Sequence, residues 1–374
     1  MKWKNIFSKS FGILLFVFLL LSVVAISTPF WIPCFVQFSK TTALIGETMG
    51  GISTPFITLI MALLAFSAFW MQYKTLRDQR QEMNRQHFEG RLSLMLSQLR
   101  ENVNGLKAGA VHGRAAAEEL AGEFYLTLTC VNNIVDNELS DDIKNASGID
   151  DKQRAELTIY FNEIISNDQL KLIFILKTAY GIFFQGLNFT PNVSDSAREL
   201  LTSLIERRLK KSSFNINPDK SFADVLYSSS KDLSEIKEVP YKPFRGHNAE
   251  MSSYYRHLYQ IICFIANCPK DEISEEEKYG YAKMVRSHLS DYEQFLLYYN
   301  AMSDFGAPWN TPLVKDSKYE PENMGLIARY RLIKNIPGNI NWRGYNPLDK
   351  YKKEINVWKR LQQDFFETPQ FLVI

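Results

Sequence analysis

The sequence predicts a mostly α-helical protein with an N-terminal two-helix transmembrane hairpin, a helical stalk and a cytoplasmic α-helical domain. Two long stretches near the amino terminus carry no charge, which is typical of membrane-spanning helices. Further along, apolar side chains recur in steps of three and four residues, the period of an amphipathic helix. A content of 46% apolar and 22% charged residues is that of a folded protein and excludes a largely disordered chain.

The first uncharged stretch predicts a membrane span over about 11–31. Residues 11–26 read FGILLFVFLLLSVVAI, and a helix needs about 20 apolar residues to cross the hydrocarbon core. A secretory signal peptide is the alternative, because Ala25-Ile26-Ser27 fits a cleavage site. We favour the span, since the apolar segment of a signal peptide usually has only about 7–15 residues.

The second uncharged stretch predicts a span over about 54–73, where residues 55–71 read PFITLIMALLAFSAFWM. Basic residues flank the two spans on their outer sides: Lys2, Lys4 and Lys9 before the first, and Lys74, Arg77, Arg80 and Arg85 after the second. Because basic flanks stay in the cytoplasm, we expect both termini there, with the short connecting loop on the opposite side of the membrane.

Neither predicted span contains Asp, Glu, Lys, Arg or His, so the sequence gives no sign of a proton relay, voltage sensor or transporter. The lipid bilayer is therefore the first expected partner. Small residues let helices approach closely, so they serve either the packing of the hairpin itself, which we favour, or a homo-oligomer. They are Gly50, Gly51, Ala62, Ala65 and Ala68. Two helices cannot enclose a water-filled path, so a conducting form requires several copies.

These patterns divide the chain into five regions. They are the hairpin at 1–73, the helical stalk at 74–107, a helical region at 108–210, a linker or long loop at 211–245, and a C-terminal helical domain at 246–374. The stalk contains no proline and has one apolar face, formed by Phe88, Leu92, Met95, Leu99, Val103 and Leu106. The linker is rich in Ser, Lys and Pro, which interrupt helical patterns.

Two strongly periodic segments, 251–267 and 275–303, predict helices in the C-terminal domain. On a single helix over 275–303, polar residues spaced by four, three and seven positions share one face. The polar residues on these helices and in the loop before them are Arg256, His257, Arg286, Ser290, Glu293 and Asn300, with Gly246, His247 and Asn248.

This set of polar residues has two interpretations. In the first, a carboxylate and imidazoles near arginine form a pocket for acid–base chemistry or for holding a phosphorylated signal. In the second, Arg256 or Arg286 pairs with Glu293 between helices and Asn300 caps a turn. The second interpretation follows from the rule that buried charges generally persist only when they are paired and hydrogen-bonded.

Established catalytic motifs are absent from the sequence. There is no P-loop, no dinucleotide-binding glycine motif, no H-E-x-x-H and no nucleophile elbow. An R-x6-H spacing at Arg80 and His87 is loosely similar to the ribonuclease motif of HEPN domains. The four scattered cysteines predict neither a disulfide framework nor a zinc site, and we expect no metal or cofactor.

Nucleic acid is a disfavoured but not excluded partner. Lys and Arg total 43 against 41 Asp and Glu, a net charge of only +2, whereas affinity for nucleic acid rests largely on phosphate neutralisation. Three local basic clusters are present, at 207–211, 329–334 and 352–353. Each is typical of a solvated helix face or a lipid-facing patch.

Separated motifs in the sequence together resemble one family. They are 87–89 (HFE), the Gly113-Arg114 step, 246–248 (GHN), 255–259 (YRHLY) and 289–300 (LSDYEQFLLYYN). This combination resembles the AbiC-like family of phage abortive infection proteins, which are bacterial membrane proteins. The most specific motifs lie within 246–335, and the sequence departs from the family at 99–100, where it has Leu-Arg in place of a common Leu-His pair.

The resemblance implies antiviral defence by growth arrest or death of the infected cell, from the bacterial inner membrane and without a catalytic residue to carry over. The implied trigger is a phage-derived or neighbouring defence protein. A membrane-tethered nuclease-type enzyme and a non-catalytic scaffold for a defence partner are the alternatives. The positions that the resemblance matches overlap the polar residues above, so the candidate functional network is Arg256, His257, Tyr259, Arg286, Ser290, Tyr292, Glu293 and Asn300, with the loop Gly246, His247 and Asn248.

Overall fold

The computed structural model describes most of the chain, and the described residues are mainly helical, which confirms the predicted class. They are Ser27 and residues 42–189, 196–227, 236–312, 321–336 and 344–366. The chain divides into two units, Met1–His87 and Phe88–Ile374. The first predicted span, at 11–31, lies outside the described residues apart from Ser27.

Thirteen α-helices can be delimited in the described ranges. They are α1 (Thr42–Asn104), α2 (Arg114–Asn133), α3 (Leu139–Asn145), α4 (Asp151–Ser166), α5 (Asp168–Gln185), α6 (Ser196–Lys211), α7 (Ala223–Tyr227), α8 (Asn248–Ala266), α9 (Glu275–Arg286), α10 (Asp291–Met302), α11 (Leu326–Tyr330), α12 (Pro347–Lys350) and α13 (Lys352–Arg360). A π-helical segment, Ile134–Glu138, joins α2 to α3, and 3₁₀ turns occupy Ala307–Asn310 and Pro321–Asn323.

Two short strand pairs complete the secondary structure of these ranges. Strands β1 (Lys107–Ala108) and β2 (Val111–His112) pair antiparallel, with Lys107 opposite His112. Strands β3 (Asn215–Ile216) and β4 (Glu238–Val239) pair parallel, with Asn215 opposite Glu238. The second pair lies in the region 211–245, whose α7 packs against α2.

The amino-terminal unit contains the second predicted span as part of α1. In the part of the chain that the structure describes, one helix could cross a membrane, judged by its length and composition alone. The segment of α1 that meets this criterion is Thr54–Asn104. Its most apolar 18-residue window has a mean hydropathy of 1.8, and none of that window is buried. The hydroxyls of Thr58 and Ser67 donate to the carbonyls of Thr54 (2.9 Å) and Leu64 (2.8 Å), so these polar groups are satisfied within the helix.

In the second unit, the end of α1 packs against α8 and α9 through the predicted apolar face. Phe88, Leu92, Leu99, Val103 and Leu106 are all buried, and Met95 is partly buried. The Phe88 ring stacks on Phe264 of α8 with ring centroids 4.8 Å apart. The periodicity therefore identified the buried side of this helix, because steps of three and four place side chains on one face.

Helix α2 forms the centre of the second unit. It contacts α5, α7 and α10, and most of its residues from Ala116 to Val131 are buried. The Phe124 ring on α2 lies 5.6 Å from Tyr180 and 5.4 Å from Phe183 on α5, and 4.7 Å from Tyr299 on α10. Edge-to-face and tilted rings at such distances stabilise a core beyond the burial of their area.

The prediction of one helix over 275–303 is wrong, because α9 ends at Arg286 and α10 begins at Asp291. Ser290 is the N-cap of α10, and it forms a capping box with Glu293. The Ser290 N–H donates to Glu293 Oε2 (2.8 Å), and the Glu293 N–H donates to Ser290 Oγ (3.2 Å). The S-x-x-E sequence is a known start signal for a helix, but the apolar period continues across it and hides the break.

We predict that Ser290→Ala lowers the free energy of unfolding by about 0.5–2 kcal/mol, because it removes the acceptor for the Glu293 N–H. Ser290→Thr retains a capping hydroxyl and should stay close to the wild type. The measurement is unfolding of the full chain in detergent. The matched control is Ser287→Ala on the exposed turn before the cap; equal stability of Ser290→Ala and this control would contradict the assignment.

Candidate functional site

Three residues of the candidate network, Arg256, Tyr259 and Asn300, line one pocket of about 260 Å³ in the second unit. Helix α8 contributes Arg256 and Tyr259, and α10 contributes Asn300. The walls are rich in aromatic side chains, which are Phe184, Tyr255, Tyr259, Phe305 and Trp309. Concave sites with apolar walls and a few polar groups are typical of small-molecule binding.

The 3₁₀ turn after α10 places Trp309 against α8. Trp309 is only 2% exposed, and its ring meets Tyr259 edge to face, with centroids 5.0 Å apart and an interplanar angle of 90°. Asn310 in the same turn donates from Nδ2 to the carbonyl of Ala301 (2.8 Å), which fastens the turn to α10. These contacts hold one wall of the pocket in a fixed position.

Two polar side chains give the pocket its binding chemistry. Asn300 is buried, and its Nδ2 donates to the Tyr180 hydroxyl at 2.9 Å, while its Oδ1 accepts no hydrogen bond from any described residue. Arg256 is exposed and has no hydrogen bond or ion pair with the residues that the structure describes. Together with the Ser252 hydroxyl, the pocket therefore offers one cation and uncharged hydrogen-bonding groups, an arrangement suited to a ligand with an anionic group and a hydrogen-bond donor.

Two neighbouring tyrosines of α8 are buried, and one of them, Tyr255, lines this pocket. Burial raises the pKa of Tyr255 well above its ordinary value, with a further contribution from the neighbouring Tyr180. Burial, and after it the charge of the Glu293 carboxylate, raise the pKa of Tyr254 in the same way. Both phenols therefore stay neutral near neutral pH. The described lining of this pocket contains no carboxylate or imidazole.

Four other residues of the candidate network serve helix ends or packing. Ser290 and Glu293 cap α10, as described above. Arg286 is buried at the end of α9, where its Nη1 donates to the carbonyl of Arg331 at 3.0 Å. Tyr292, in the first turn of α10, is partly buried. The structure thus separates these side chains from the pocket that Arg256 and Asn300 share.

His257 faces α1 and not the aromatic pocket. Its Nε2 donates to the carbonyl of Met95 at 2.8 Å, so the ring joins α8 to α1. Arg256 and His257 also line a second groove of about 390 Å³, together with Glu101 of α1. Asn248 is exposed at the first position of α8.

The loop residue His247 belongs to a buried ion pair that the sequence analysis missed. Its Nε2 lies 2.9 Å from Oε2 of Glu123 on α2, and Glu123 Oε1 accepts from the Phe244 N–H at 3.0 Å. Glu123 has no solvent exposure. A signal was present in the sequence, because Glu123 is the only charged residue in the apolar run 120–135, and such a charge requires a partner.

One known family matches the segment of the chain that forms most of the pocket. Residues 246–320 match the model of a family described as "Putative phage abortive infection protein". The predicted resemblance is therefore confirmed over this segment, which contains α8, α9, α10 and the turn that holds Trp309. No curated protein and no solved structure matches the chain.

The pair His247–Glu123 predicts a pH-dependent stability. Burial alone would lower the pKa of His247, but the charge and hydrogen bond of Glu123 outweigh it and raise that pKa above 6.5. Because the folded-state pKa is raised, this stabilisation is complete below about pH 6.5 and is lost as the pH rises through the folded-state pKa. We therefore expect the difference in unfolding temperature between wild type and His247→Gln to shrink between pH 6 and pH 9.

The control for this measurement is His112→Gln, which replaces an exposed histidine on β2. That variant should follow the wild type at every pH. A constant difference between wild type and His247→Gln across the range would show that His247 does not carry a charge in the folded protein.

The neighbouring Gly246 allows close backbone contact. Its φ is +86°, and a Cβ there would lie 2.6 Å from both the Gln185 carbonyl carbon and the Gly186 nitrogen. We predict that Gly246→Ala lowers the free energy of unfolding by at least about 2 kcal/mol, through strain and this clash. Gly280→Ala on α9 meets nothing within 4 Å and should raise stability by about 0.5–1 kcal/mol. Similar changes in stability for Gly246→Ala and Gly280→Ala would contradict the close contact assigned to Gly246.

Proposed function

We propose that this chain is a bacterial inner-membrane protein of antiphage defence by abortive infection. Its helical domain recognises a sign of infection and acts through the membrane segment to arrest or kill the cell. The observation that carries the proposal is the coincidence of the family match with the pocket: residues 246–320 supply most of its wall. Within that match, Arg256 and Asn300 are two of the polar residues that line the pocket, and Ser252 adds a hydroxyl.

Helix α8 gives recognition a direct path to α1. One side of α8 presents Arg256 and Tyr259 to the pocket, while His257 donates to the Met95 carbonyl of α1. On the same pair of helices, the Arg91 guanidinium lies 5.1 Å from the centre of the Phe264 ring. A ligand shifts the equilibrium between two conformations by its difference in affinity for them. A ligand that binds better to one position of α8 would therefore also favour one position of α1.

Helix α1 is continuous from Thr42 to Asn104. It therefore includes both the proposed membrane segment and the end that contacts α8. Together with the predicted span at 11–31 it would form a hairpin whose two ends are cytoplasmic. Small residues such as Gly50 and Gly51 would allow several hairpins to assemble and permeabilise the membrane. The trigger would be a phage-derived or neighbouring defence protein.

Arg256→Gln tests the pocket in this role. Because Arg256 is exposed and unpaired among the described residues, the substitution should leave protein level and membrane insertion unchanged. We expect loss of protection by at least about tenfold in phage plating efficiency, the effect of removing one charge-assisted contact. Arg207→Gln on α6, also at an exposed arginine, should protect as the wild type does. Full protection by Arg256→Gln would remove the pocket from the mechanism.

Membrane potential and RNA integrity, followed together in infected cells, test the proposed effect. Early depolarisation with intact RNA is the expected result. Early RNA loss with the potential maintained would instead support a tethered nuclease-type enzyme. If neither changes while phage replication stops, the protein acts as a scaffold for a defence partner. Removal of residues 1–73 should abolish the effect of a membrane effector but not that of an enzyme.

A further inference from the structure

A second group of polar side chains lies outside the pocket and comes from three separate parts of the second unit. It consists of Arg100 on α1, Arg114 at the start of α2, and His288 in the turn between α9 and α10. Arg100 Nη2 lies 3.4 Å from His288 Nε2, and Arg114 Nη2 donates to the His288 carbonyl at 3.1 Å. We call these three residues the arginine–histidine cluster.

Both arginines of this cluster are exposed. Neither Arg100 nor Arg114 forms an ion pair with any described residue, whereas Arg208 pairs with Asp142 at 2.6 Å and Arg329 pairs with Glu275 at 2.8 Å. Burial, followed by the charges of Arg100 and Arg114, lowers the pKa of His288. His288 is therefore neutral near neutral pH, with Nε2 as acceptor for Arg100 and a proton on Nδ1. The cluster carries a charge of about +2.

The start of α2 adds to this positive charge. Arg114 is the first residue of the helix, and the N-terminal end of a helix repels cations. Gly113 provides no side-chain cap, and the first turn contains no acidic residue. The first N–H groups of a helix need acceptors from outside it. The Ala116 N–H already donates to the Gly113 carbonyl at 3.0 Å. An anion at this point would offset the repulsion between the two arginines.

We propose that the arginine–histidine cluster binds a phosphate monoester, whose two negative charges match the two guanidinium groups. Each guanidinium has five N–H donors, of which one is used in the contacts described above, so several remain for phosphate oxygens. A long polyanion is disfavoured, because Glu101 directly follows Arg100 and Glu118 lies one turn after Arg114.

The test is binding of inorganic phosphate to the full chain in detergent, measured by calorimetry against chloride at equal ionic strength. We expect saturable binding by the wild type. Arg100→Gln keeps an amide that can donate to His288 Nε2, so the protein should stay folded while phosphate affinity falls at least about tenfold. Arg114→Gln should produce a similar loss. Arg207→Gln, at an exposed arginine outside both the cluster and the pocket, should bind phosphate as the wild type does.

The proposal would be overturned by the absence of saturable phosphate binding to the wild type, or by unchanged affinity in both Arg100→Gln and Arg114→Gln. Thermal unfolding of each variant shows that any loss of binding is not a loss of fold. Glycerol 3-phosphate and vesicles that contain phosphatidic acid then distinguish a soluble monoester from a lipid headgroup. Binding of single-stranded RNA without any binding of phosphate would also overturn it. The phosphate proposal does not rest on the proposed function. The proposed function is tested separately, by phage plating of Arg256→Gln.

Discussion

Glu123 is a carboxylate with no access to water, and the position of α8 depends on how its charge is satisfied. A buried charge without a partner costs several kcal/mol, so the fold must bring donors to this point on α2. It does so with the Phe244 N–H and the His247 ring, both from the loop that leads into α8. The His247 N–H in turn donates to the carbonyls of Phe183 and Phe184 on α5. The loop is therefore fixed to two helices immediately before α8 begins.

The two sides of α8 make different contacts. Tyr255 and Tyr259 face the aromatic pocket, where Trp309 closes the wall. His257 and Phe264 face α1, through a hydrogen bond to the backbone and a stacked ring. Because interiors are densely packed, a shift of α8 would also move the end of α1 that packs against it. In the proposed function, this contact would link recognition to the membrane segment.

Local patterns in the sequence identified the helices and their buried faces, but not the contacts between distant residues. The apolar face of α1 and the helical content follow from periodicity alone. The break at Ser290 was hidden because Val285, Leu289 and Leu296 continue the period across it. The pairing of Glu123 with His247, and the approach of Arg100 and Arg114 to His288, bring together residues more than 120 positions apart. No local rule encodes such contacts. Of the network chosen from the sequence, Arg256, Tyr259 and Asn300 share a pocket, since α8 and α10 meet there.

The free Oδ1 of Asn300 has a consequence for discrimination between ligands. An occupant that excludes water but brings no donor leaves this oxygen dehydrated, at a cost of about 1–3 kcal/mol, or roughly five- to 150-fold in affinity. The pocket would therefore select chiefly by rejecting molecules that lack one N–H or O–H at the right place. In the proposed role, a phage could escape recognition by losing a single hydrogen-bond donor, without any change in the size or charge of the molecule that is sensed.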